Sequence, residues 1–383
     1  MNFLLRHTLE LLLFAVLFPL HIHVAYRLWN APWVMARRHG RTMLLCAIAG
    51  LFSLMIGGMV LDAVRVQRHV PSWFYALGRG LSLAWMMNCC GCAILYPFVR
   101  AQSKRTGHSP RRRKLLQVSY ALPAAAIGYG TMIERDRFHL KEVNIPLAGL
   151  PKSLDGLRIV QLTDIHIGTF LSERELARVV DMANETKANL AIMTGDLITK
   201  VGDPVGECLR QLARLKADAG LLGCMGNHEI YASAEDFVEL NAARLGMEFL
   251  RNRSRKLVFN GHALHFSGVD YQSKTRGPYL REAEKLVVPG EMNILLSHNP
   301  DVFRISPQKG FQLTLSGHTH GGQIAVEYLN PYLNVARFVT PYVAGYYHER
   351  GGSLYVSRGV GTIGVPARIG VPPEVTLIRL CAI

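Results

Sequence analysis

Five short apolar runs of this sequence each end at one or two side chains that can bind a metal ion. The stretches are IVQLTDIH, LAIMTGD, LLGCMGNHE, NILLSHNP and LTLSGHTH, and their polar ends carry Asp164, His166, Asp196, Asn227, His228, His298, His318 and His320. Imidazole nitrogens with carboxylate and amide oxygens, and no thiolate, suit manganese, iron or zinc. So many ligands exceed the need of one tetrahedral ion and fit two ions about 3.5–4 Å apart that share a carboxylate.

The spacing of these residues indicates how the backbone would present them. Asp164 and His166 are two positions apart, as are His318 and His320. On an extended segment, residues i and i+2 project to the same face, so each pair is predicted to point one way. Glycine directly precedes three of the eight residues and would let the chain turn sharply there.

The apolar runs alternate with helix patterns after residue 133. Residues 137–147 alternate as in a strand, and Ser172 with Glu175 forms a capping box before an amphipathic run. A second helix pattern starts at Ser233 and stops at Gly246. Strands alternating with helices favour an α/β architecture, in which sites form beyond the carboxyl ends of the strands. The five strand ends are therefore predicted to meet at one edge.

Residues 1–133 have a different composition. Four apolar segments, at 9–29, 42–63, 73–99 and 115–133, each approach the roughly 20 residues that a membrane-spanning helix needs. We therefore predict an all-α membrane domain of four transmembrane helices, with the lipid bilayer as its partner. This part holds 15 Lys/Arg and two acids, a net charge of +13, which leaves +2 of the total +15 for the remainder. Nothing in the nearly neutral remainder indicates a nucleic-acid partner.

The loop charges predict the topology of that membrane domain. The loops at 27–41 and 100–114 carry 11 Lys/Arg against six on the opposite side. The positive-inside rule places the two richer loops in the cytoplasm. Both termini and everything after residue 133 would then be extracytoplasmic, which in a bacterium means a periplasmic domain on the inner (plasma) membrane. The sequence carries no signal for an oligomeric state.

The motifs TDIH, GDLI, GNHE, SHNP and SGHTHGGQ, in this order, resemble those of the calcineurin-like metallophosphoesterases. They look most like the bacterial membrane-associated branch and the transmembrane proteins with a metallophosphoesterase domain. The resemblance covers roughly residues 138–383. It implies an α/β, four-layer sandwich of two mixed β-sheets flanked by helices. The predicted organisation is a membrane domain at 1–133, a connector and first strand at 134–155, and the phosphoesterase domain at 156–383.

The resemblance also implies a dinuclear metal centre and a reaction. One ion would be held by Asp164, His166 and His320, the other by Asn227, His298 and His318, with Asp196 as the bridging ligand. A hydroxide bridging the ions would attack phosphorus in line with the leaving oxygen. His228, outside the metal shell, would be the catalytic residue beside the leaving group. The implied activity is hydrolysis of a phosphomonoester, phosphodiester or pyrophosphate bond.

The substrate and two alternative functions stay open. A domain tethered close to a bilayer favours a lipid-linked or envelope substrate. A UDP-diacylglucosamine-type pyrophosphohydrolase is one alternative, against which the loop charges argue because those relatives act in the cytoplasm. The other is a metal-binding sensor or transporter-associated domain with little catalysis, although four spans with almost no buried charge offer poor material for a substrate pathway.

Two further features of the C-terminal tail allow more than one interpretation. Arg358 and Arg368 could contact phosphate or form surface ion pairs. The stretch GVGTIG at 359–364 fits the Gly-x-Gly-x-x-Gly dinucleotide pattern, which needs a helix directly after it. Prolines at 366, 372 and 373 exclude that helix, so this stretch is predicted to be a loop.

Overall fold

The computed structural model describes residues 32–63, 125–168, 170–325 and 334–383, together with residue 101 and a few positions between 19 and 30. The chain divides into two units, residues 1–133 with 364–367, and residues 134–363 with 368–383. In the first unit the described helices are α1 (Pro32–Met35) and α2 (Gly40–Ala63), and residues 125–132 are also helical.

The predicted domain of four transmembrane helices is not supported. Among the described residues, no helix combines the length and the apolar character needed to cross a bilayer. Of the four predicted spans, 73–99 lies wholly outside the described residues, 9–29 lies largely outside them, and 115–133 is described from residue 125 onward.

The second unit contains two six-stranded mixed sheets. The first sheet consists of β1 (His139–Leu147), β2 (Arg158–Leu162), β3 (Leu190–Thr194), β4 (Leu221–Cys224), β5 (Met247–Phe249) and β12 (Glu374–Ala382). Their spatial order is β1, β12, β2, β3, β4, β5. Only β12 and β2 pair antiparallel, so β2 to β5 form a parallel block with their carboxyl ends at one edge.

The second sheet also contains a block of four parallel strands. It consists of β6 (Arg253–Phe259), β7 (His262–Gly268), β8 (Met292–Leu296), β9 (Leu313–Ser316), β10 (Gly345–Glu349) and β11 (Gly352–Val356). The spatial order is β10, β11, β9, β8, β7, β6, and only the two outer pairs are antiparallel. The four inner strands are parallel, as expected for strands that are buried on both faces.

Helices cover the outer face of the first sheet and short helical turns follow the strands of the second. The α-helices of this unit are α3 (Glu173–Glu185), α4 (Val205–Leu212), α5 (Asn227–Tyr231) and α6 (Glu235–Arg244). The 3-10 segments are Glu134–Asp136, Lys152–Leu154, Lys274–Arg276, Ala283–Leu286, Pro300–Arg304, Ser306–Lys309, His320–Gly322 and Val335–Phe338.

The alternation of side chains along the strands builds two apolar layers. Ile159 of β2 points between the sheets and belongs to the same buried cluster as Phe266 of the second sheet. Val160, the next residue, points to the other face and belongs to the cluster that includes Leu176 of α3 and Leu209 of α4. Since both faces of β2 are buried, the strand is apolar almost throughout. The predicted α/β fold with two mixed sheets is confirmed.

Two local predictions outside the strand ends are confirmed in this unit. Ser172 Oγ accepts a hydrogen bond from the Glu175 amide, and the Glu175 carboxylate accepts one from the Ser172 amide, so the capping box is formed. The stretch 359–364 contains no helix. The helix pattern that starts at Ser233 corresponds to α6, which begins two residues later, at Glu235. Ala234 precedes the helix without a side-chain cap, and Ser233 is in the left-handed region at φ 51°.

Candidate metal centre

The loops that follow β2, β3, β4, β8 and β9 bring the predicted histidines and aspartates together. Among the described residues, three groups place one ligand atom per residue within 4.8 Å of one another; they are Asp164, His166 and His320, then His166, Asp196 and His228, then Asp196, His298 and His318. The groups overlap, since His166 joins the first to the second and Asp196 joins the second to the third. Asn227 is also buried, at the start of α5.

Asp196 lies at the centre of this arrangement. Its Oδ2 atom is 3.0 Å from Nε2 of His298 and 3.6 Å from Nε2 of His166. The same oxygen is 4.0 Å from Nε2 of His228. One carboxylate oxygen therefore faces three imidazoles, which is the position implied for a bridging ligand.

Two pairs of imidazole nitrogens approach each other around that carboxylate. Nε2 of His166 is 3.1 Å from Nε2 of His320, and Nδ1 of His318 is 3.2 Å from Nε2 of His298. Neutral ring nitrogens with lone pairs repel one another at this separation unless a proton or a cation lies between them. The geometry thus concentrates electron-pair donors at two neighbouring points.

Backbone strain marks the same residues. Five of them have φ angles in the left-handed region, at 51° for Asp164, 49° for His166, 56° for Asp196, 77° for His318 and 51° for His320. Residues other than glycine rarely adopt this backbone region, and those that do are concentrated at functional sites. The prediction that each Asp-x-His and His-x-His pair is extended is therefore wrong. The paired side chains face the same place because both backbones turn.

The three glycines that precede candidate ligands serve two different purposes. Gly195 has φ 90°, so it supplies the sharp turn that was predicted. Gly226 has φ −94°, which any residue adopts, but a Cβ there would lie 2.1 Å from Oδ1 of Asp196. A Cβ on Gly317 would lie 2.2 Å from Oδ2 of Asp164. Space beside the carboxylates, rather than turning, requires the latter two glycines.

Burial keeps most of the imidazoles neutral. Removal from water lowers the pKa of His166 and of His318 to about 3 and also lowers that of His320, although the charge of Asp196 opposes each shift. Desolvation disfavours the charged form of any buried group. At neutral pH these rings therefore present lone pairs, the form that binds cations.

His298 behaves differently because it lies between two carboxylates. Burial disfavours its cationic form, but the charges of Asp196 and Asp164 outweigh burial and raise its pKa to about 10. Burial also raises the pKa of Asp164 to about 6. Burial acts in the same direction on Asp196, yet the charge and hydrogen bond of His298 hold the pKa of that carboxyl well below its usual range. Without a metal ion, the protonated imidazole of His298 supplies the positive charge between the carboxylates of Asp164 and Asp196.

Backbone carbonyls orient three of the histidines. Nδ1 of His298 donates to the carbonyl of Thr194 at 2.6 Å, and Nδ1 of His228 donates to the carbonyl of Thr199 at 2.6 Å. Nδ1 of His166 is 3.1 Å from the carbonyl of Ile198. Each contact uses the outer ring nitrogen and turns Nε2 toward the centre. Metal-binding histidines in proteins are oriented in the same way.

Similarity to known proteins shows the family to which this chain belongs. A family model described as calcineurin-like phosphoesterase matches residues 157–322. An "Uncharacterized metallophosphoesterase" of Helicobacter pylori (strain J99) is 31% identical over 352 residues, which cover 87% of this chain and 89% of that protein. The chain belongs to the calcineurin-like metallophosphoesterases. It is therefore a metal-dependent phosphoesterase, as predicted.

Two further relatives extend the similarity of this metallophosphoesterase beyond one genus. A "Transmembrane protein with metallophosphoesterase domain" of Danio rerio is 27% identical over 364 residues, covering 86% of this chain and 79% of that protein. The "Uncharacterized metallophosphoesterase YkuE" of Bacillus subtilis is 29% identical over 292 residues, covering 70% of this chain and 97% of its own length. The second relative thus aligns over almost its entire length.

The residues of this metallophosphoesterase fit the divalent metal ions that its family normally uses. Oδ1 of Asn227 is buried and has no hydrogen-bond partner. A buried polar atom without a partner costs free energy unless an ion or water satisfies it. Together with the neutral imidazoles and the two carboxylates, Asn227 completes a donor set of nitrogen and oxygen atoms suited to manganese, iron or zinc.

The interpretation of Arg368 as a surface ion-pair residue is wrong, whereas its contact with phosphate stays a prediction. Its side chain is fully buried, and its guanidinium donates to the carbonyls of Gly361 at 2.6 Å, Arg358 at 2.9 Å and Val371 at 3.2 Å. Arg368 thus holds the loop that follows β11. Nε of Arg358 lies 3.7 Å from Oε2 of Glu374 across a half-exposed ion pair.

Sequence reasoning missed two residues at this centre. Glu229 is fully buried, and its carboxylate accepts hydrogen bonds from the amides of Asp196 at 2.9 Å, Leu197 at 2.7 Å and Gly226 at 2.8 Å. Glu229 thus connects the loop after β3 to the loop after β4. It is the last residue of the GNHE motif, and this position in the motif could have identified it from the sequence. Tyr271 follows β7, a sixth strand that ends at the same edge of the sheets.

Proposed function

We propose that this metallophosphoesterase hydrolyses phosphate esters with two divalent ions, manganese, iron or zinc. The first would be held by Asp164, His166 and His320, the second by Asn227, His298 and His318, with Asp196 shared between them. The observation that carries this proposal is the convergence of the six histidines and aspartates of this set, from four separate loops, on one buried edge. Asn227 belongs to a fifth loop, whose next residue donates its amide to Asp196, and its Oδ1 is buried without a partner. When bound, the ions would supply a nucleophilic water at neutral pH and offset the charge of the phosphoryl group.

The protein itself positions the proton donor for the leaving group. The Thr199 carbonyl accepts the Nδ1 proton of His228, so Nε2 points to the centre, 4.0 Å from Oδ2 of Asp196. His228 remains half-buried, so a substrate can reach it. A proton on Nε2 would pass to the oxygen that leaves phosphorus, which makes His228 the proposed general acid.

The direct test uses a chromogenic diester. Purified full-length protein should release p-nitrophenol from bis-p-nitrophenyl phosphate when Mn²⁺ is added. His228→Ala should lose about 100-fold or more of that rate while still binding Mn²⁺, because general acid catalysis contributes at least that factor. His348→Ala is the matched control, since His348 is exposed on β10. Absence of hydrolysis across Mn²⁺, Fe²⁺ and Zn²⁺ with mono- and diesters would favour the alternative of a metal-binding sensor.

The proposal also covers membrane anchoring and the class of substrate. We propose a multi-pass inner-membrane protein whose catalytic domain is extracytoplasmic and acts on a lipid-linked or envelope phosphate. The support is the four apolar segments, the asymmetry of 11 against six basic residues in the loops, and a relative named as a transmembrane protein. A reporter fused after Ile383 should report the extracytoplasmic side. A cytoplasmic signal would overturn the location and favour a UDP-diacylglucosamine-type substrate.

A further inference from the structure

Two of the five histidines of the centre, His318 and His320, lack the carbonyl partner that orients the other three. Backbone carbonyls accept the outer ring protons of His166, His228 and His298. The outer nitrogen of His318, Nε2, instead faces the hydroxyl of Tyr271 at 3.5 Å. No backbone carbonyl of the described residues makes a hydrogen bond to that ring.

The loop that carries Tyr271 is fixed on both sides. Asp270, the preceding residue, forms an ion pair with Arg251 at 3.1 Å. Gln272, the following residue, accepts a hydrogen bond at its carbonyl from Nδ2 of Asn299 at 2.8 Å. Asn299 directly follows His298, so the tyrosine loop is tied to a loop of the centre. The ring of Tyr271 is therefore held where it is.

The aromatic ring covers both imidazoles of the second proposed ion. Its centroid is 5.5 Å from that of His318 and 6.1 Å from that of His298, tilted by 55° and 58°. Burial raises the pKa of the Tyr271 hydroxyl above its usual range, so the phenol stays neutral. A neutral phenol oxygen can accept a hydrogen bond.

The placement of one proton links these contacts. Nδ1 of His318 faces Nε2 of His298 at 3.2 Å and is the atom available to a cation. A neutral imidazole that offers the Nδ1 lone pair carries its proton on Nε2. That proton points at Tyr271. At 3.5 Å the contact is long, as such contacts commonly are before ligands bind.

We propose that Tyr271 is a positioning residue of the metal centre, whose hydroxyl oxygen accepts the Nε2 proton of His318 and thereby holds Nδ1 toward the second ion. Tyr271 would orient the ring of His318 as backbone carbonyls orient the rings of His166 and His298. The inference rests on the proposed function only in that the centre binds ions. It requires no particular substrate, so metal binding can test it separately from hydrolysis.

The first experiment measures Mn²⁺ binding to the full-length protein by calorimetry. Tyr271→Phe removes one hydroxyl and keeps the ring. We expect one of the two binding steps to weaken about 10- to 100-fold, the range typical for loss of a partner that orients a ligand, with the other step unchanged. Tyr346→Phe is the matched control, because its hydroxyl contacts Ser353 at 3.1 Å in the second sheet, and it should bind as the wild type does. Identical isotherms for wild type and Tyr271→Phe would overturn the proposal.

A double-mutant cycle separates orientation of His318 from a general structural role. In a His318→Ala background, Tyr271→Phe should cause no further loss of Mn²⁺ affinity, because its effect passes through the missing ring. An equal loss in both backgrounds, or equal weakening of both steps, shows a structural role and contradicts the proposal. Should Tyr271→Phe fail to fold, ¹H–¹⁵N spectra of the Zn²⁺-loaded wild type decide. A His318 proton on Nε2 supports the inference, and one on Nδ1 refutes it.

Failure of this inference and failure of the proposed function give different results. If the wild type binds two ions and Tyr271→Phe weakens one, the inference stands even when no phosphate ester is hydrolysed. If bis-p-nitrophenyl phosphate is hydrolysed with equal Mn²⁺ dependence by both proteins, the function stands and the role of Tyr271 is wrong. In the variant, a saturating Mn²⁺ concentration should restore most of the rate, which a misplaced catalytic group would not allow.

Discussion

The two ends of the parallel strands use the left-handed backbone in different ways. At the amino ends, Gly156, Gly220 and Gly261 have φ angles of 81°, 87° and 79°, and a Cβ on any of them would meet nothing within 4 Å. At the carboxyl ends, aspartates and histidines adopt the same region inside a buried cluster. Glycine adopts this conformation without steric strain, whereas other residues do so at a cost that the surrounding structure must offset.

Polar side chains also differ between the two ends. A cavity of about 430 Å³ at the amino ends is lined in part by Asp155, Asn189 and Asn260. These side chains bond to nearby backbone: Asp155 accepts from the Ala382 amide, Asn189 accepts from the Arg158 amide, and Asn260 donates to the Ser153 carbonyl. At the carboxyl ends, Oδ1 of Asn227 has no partner. The convergence of left-handed aspartates and histidines in one buried cluster, rather than polarity alone, distinguishes the carboxyl ends.

The largest effect expected is from one charge at the carboxyl end. Asp196→Asn keeps the shape of the side chain but removes the charge that faces His166, His228 and His298. We expect hydrolysis of bis-p-nitrophenyl phosphate to fall by at least about a thousandfold, the upper end for loss of one electrostatic group, and both ions to bind more weakly. Initial rates and Mn²⁺ isotherms measure this.

Asp218→Asn is the matched control at the amino end. Asp218 lines the cavity there and is exposed. This variant should keep the wild-type rate and Mn²⁺ affinity. A comparable loss from both variants would mean that the two ends do not differ in the way proposed.

The centre was easier to predict than the geometry that builds it. The ligand candidates follow apolar runs, and the carboxyl ends of parallel strands must meet at one edge of the sheet. The motifs alone therefore sufficed to predict that these side chains lie together. The left-handed turns at Asp164 and His318 could not be predicted, because they depend on bonds such as that from the His318 amide to the Asp164 carboxylate, 154 residues away in sequence.

The same limit explains the other differences. Arg368 carries the same charge as any surface arginine, and only its bonds to carbonyls of the folded loop show that it is buried. Tyr271 lies in a loop, and its role depends on a ring 47 positions away. Ser233 fits a cap by residue type, but its backbone conformation does not. Tertiary contacts decide each case, and local patterns do not contain them.

A methyl group can test whether close packing matters as much as charge at the carboxyl end. Gly226→Ala would place Cβ 2.1 Å from Oδ1 and 2.5 Å from the amide nitrogen of Asp196. Since φ is −94°, the backbone itself accepts alanine, so any effect comes from displacing Asp196. We expect the rate to fall about 100-fold, as for a misplacement near 1 Å. Overpacking should also lower the free energy of unfolding by about 1–3 kcal/mol, as denaturant titration would show. A wild-type rate would mean that Asp196 tolerates displacement.

The proton on His298 makes metal binding depend on pH. With a pKa raised to about 10, His298 is cationic at neutral pH in the metal-free protein, and an ion bound at Nε2 must expel that proton. Apparent Mn²⁺ affinity should therefore rise about tenfold per pH unit from pH 7 to 9, where one proton is released per ion bound. Calorimetry in two buffers of different ionisation enthalpy counts the proton. Binding without proton release would show that His298 is already neutral.

The sign is reversed for the stability of the metal-free protein. A raised folded-state pKa means that the contribution of His298 is complete below its ordinary value of 6.5 and is lost as pH rises through about 10. In the presence of a chelator, the part of the free energy of unfolding that depends on His298 should therefore decrease over this range. His298→Gln should remove that part of the pH dependence.

The smallest effect expected belongs to the amino end. Gly220→Ala introduces a Cβ into open space, so its cost is only the left-handed conformation at φ 87°. We expect a loss of about 1 kcal/mol in the free energy of unfolding and no change in hydrolysis or Mn²⁺ affinity. Denaturant titration alongside the rate assay checks both. If this variant lost activity although it was destabilised by only about 1 kcal/mol, strain at the amino end would affect the metal centre. The contrast between the two ends would then no longer hold.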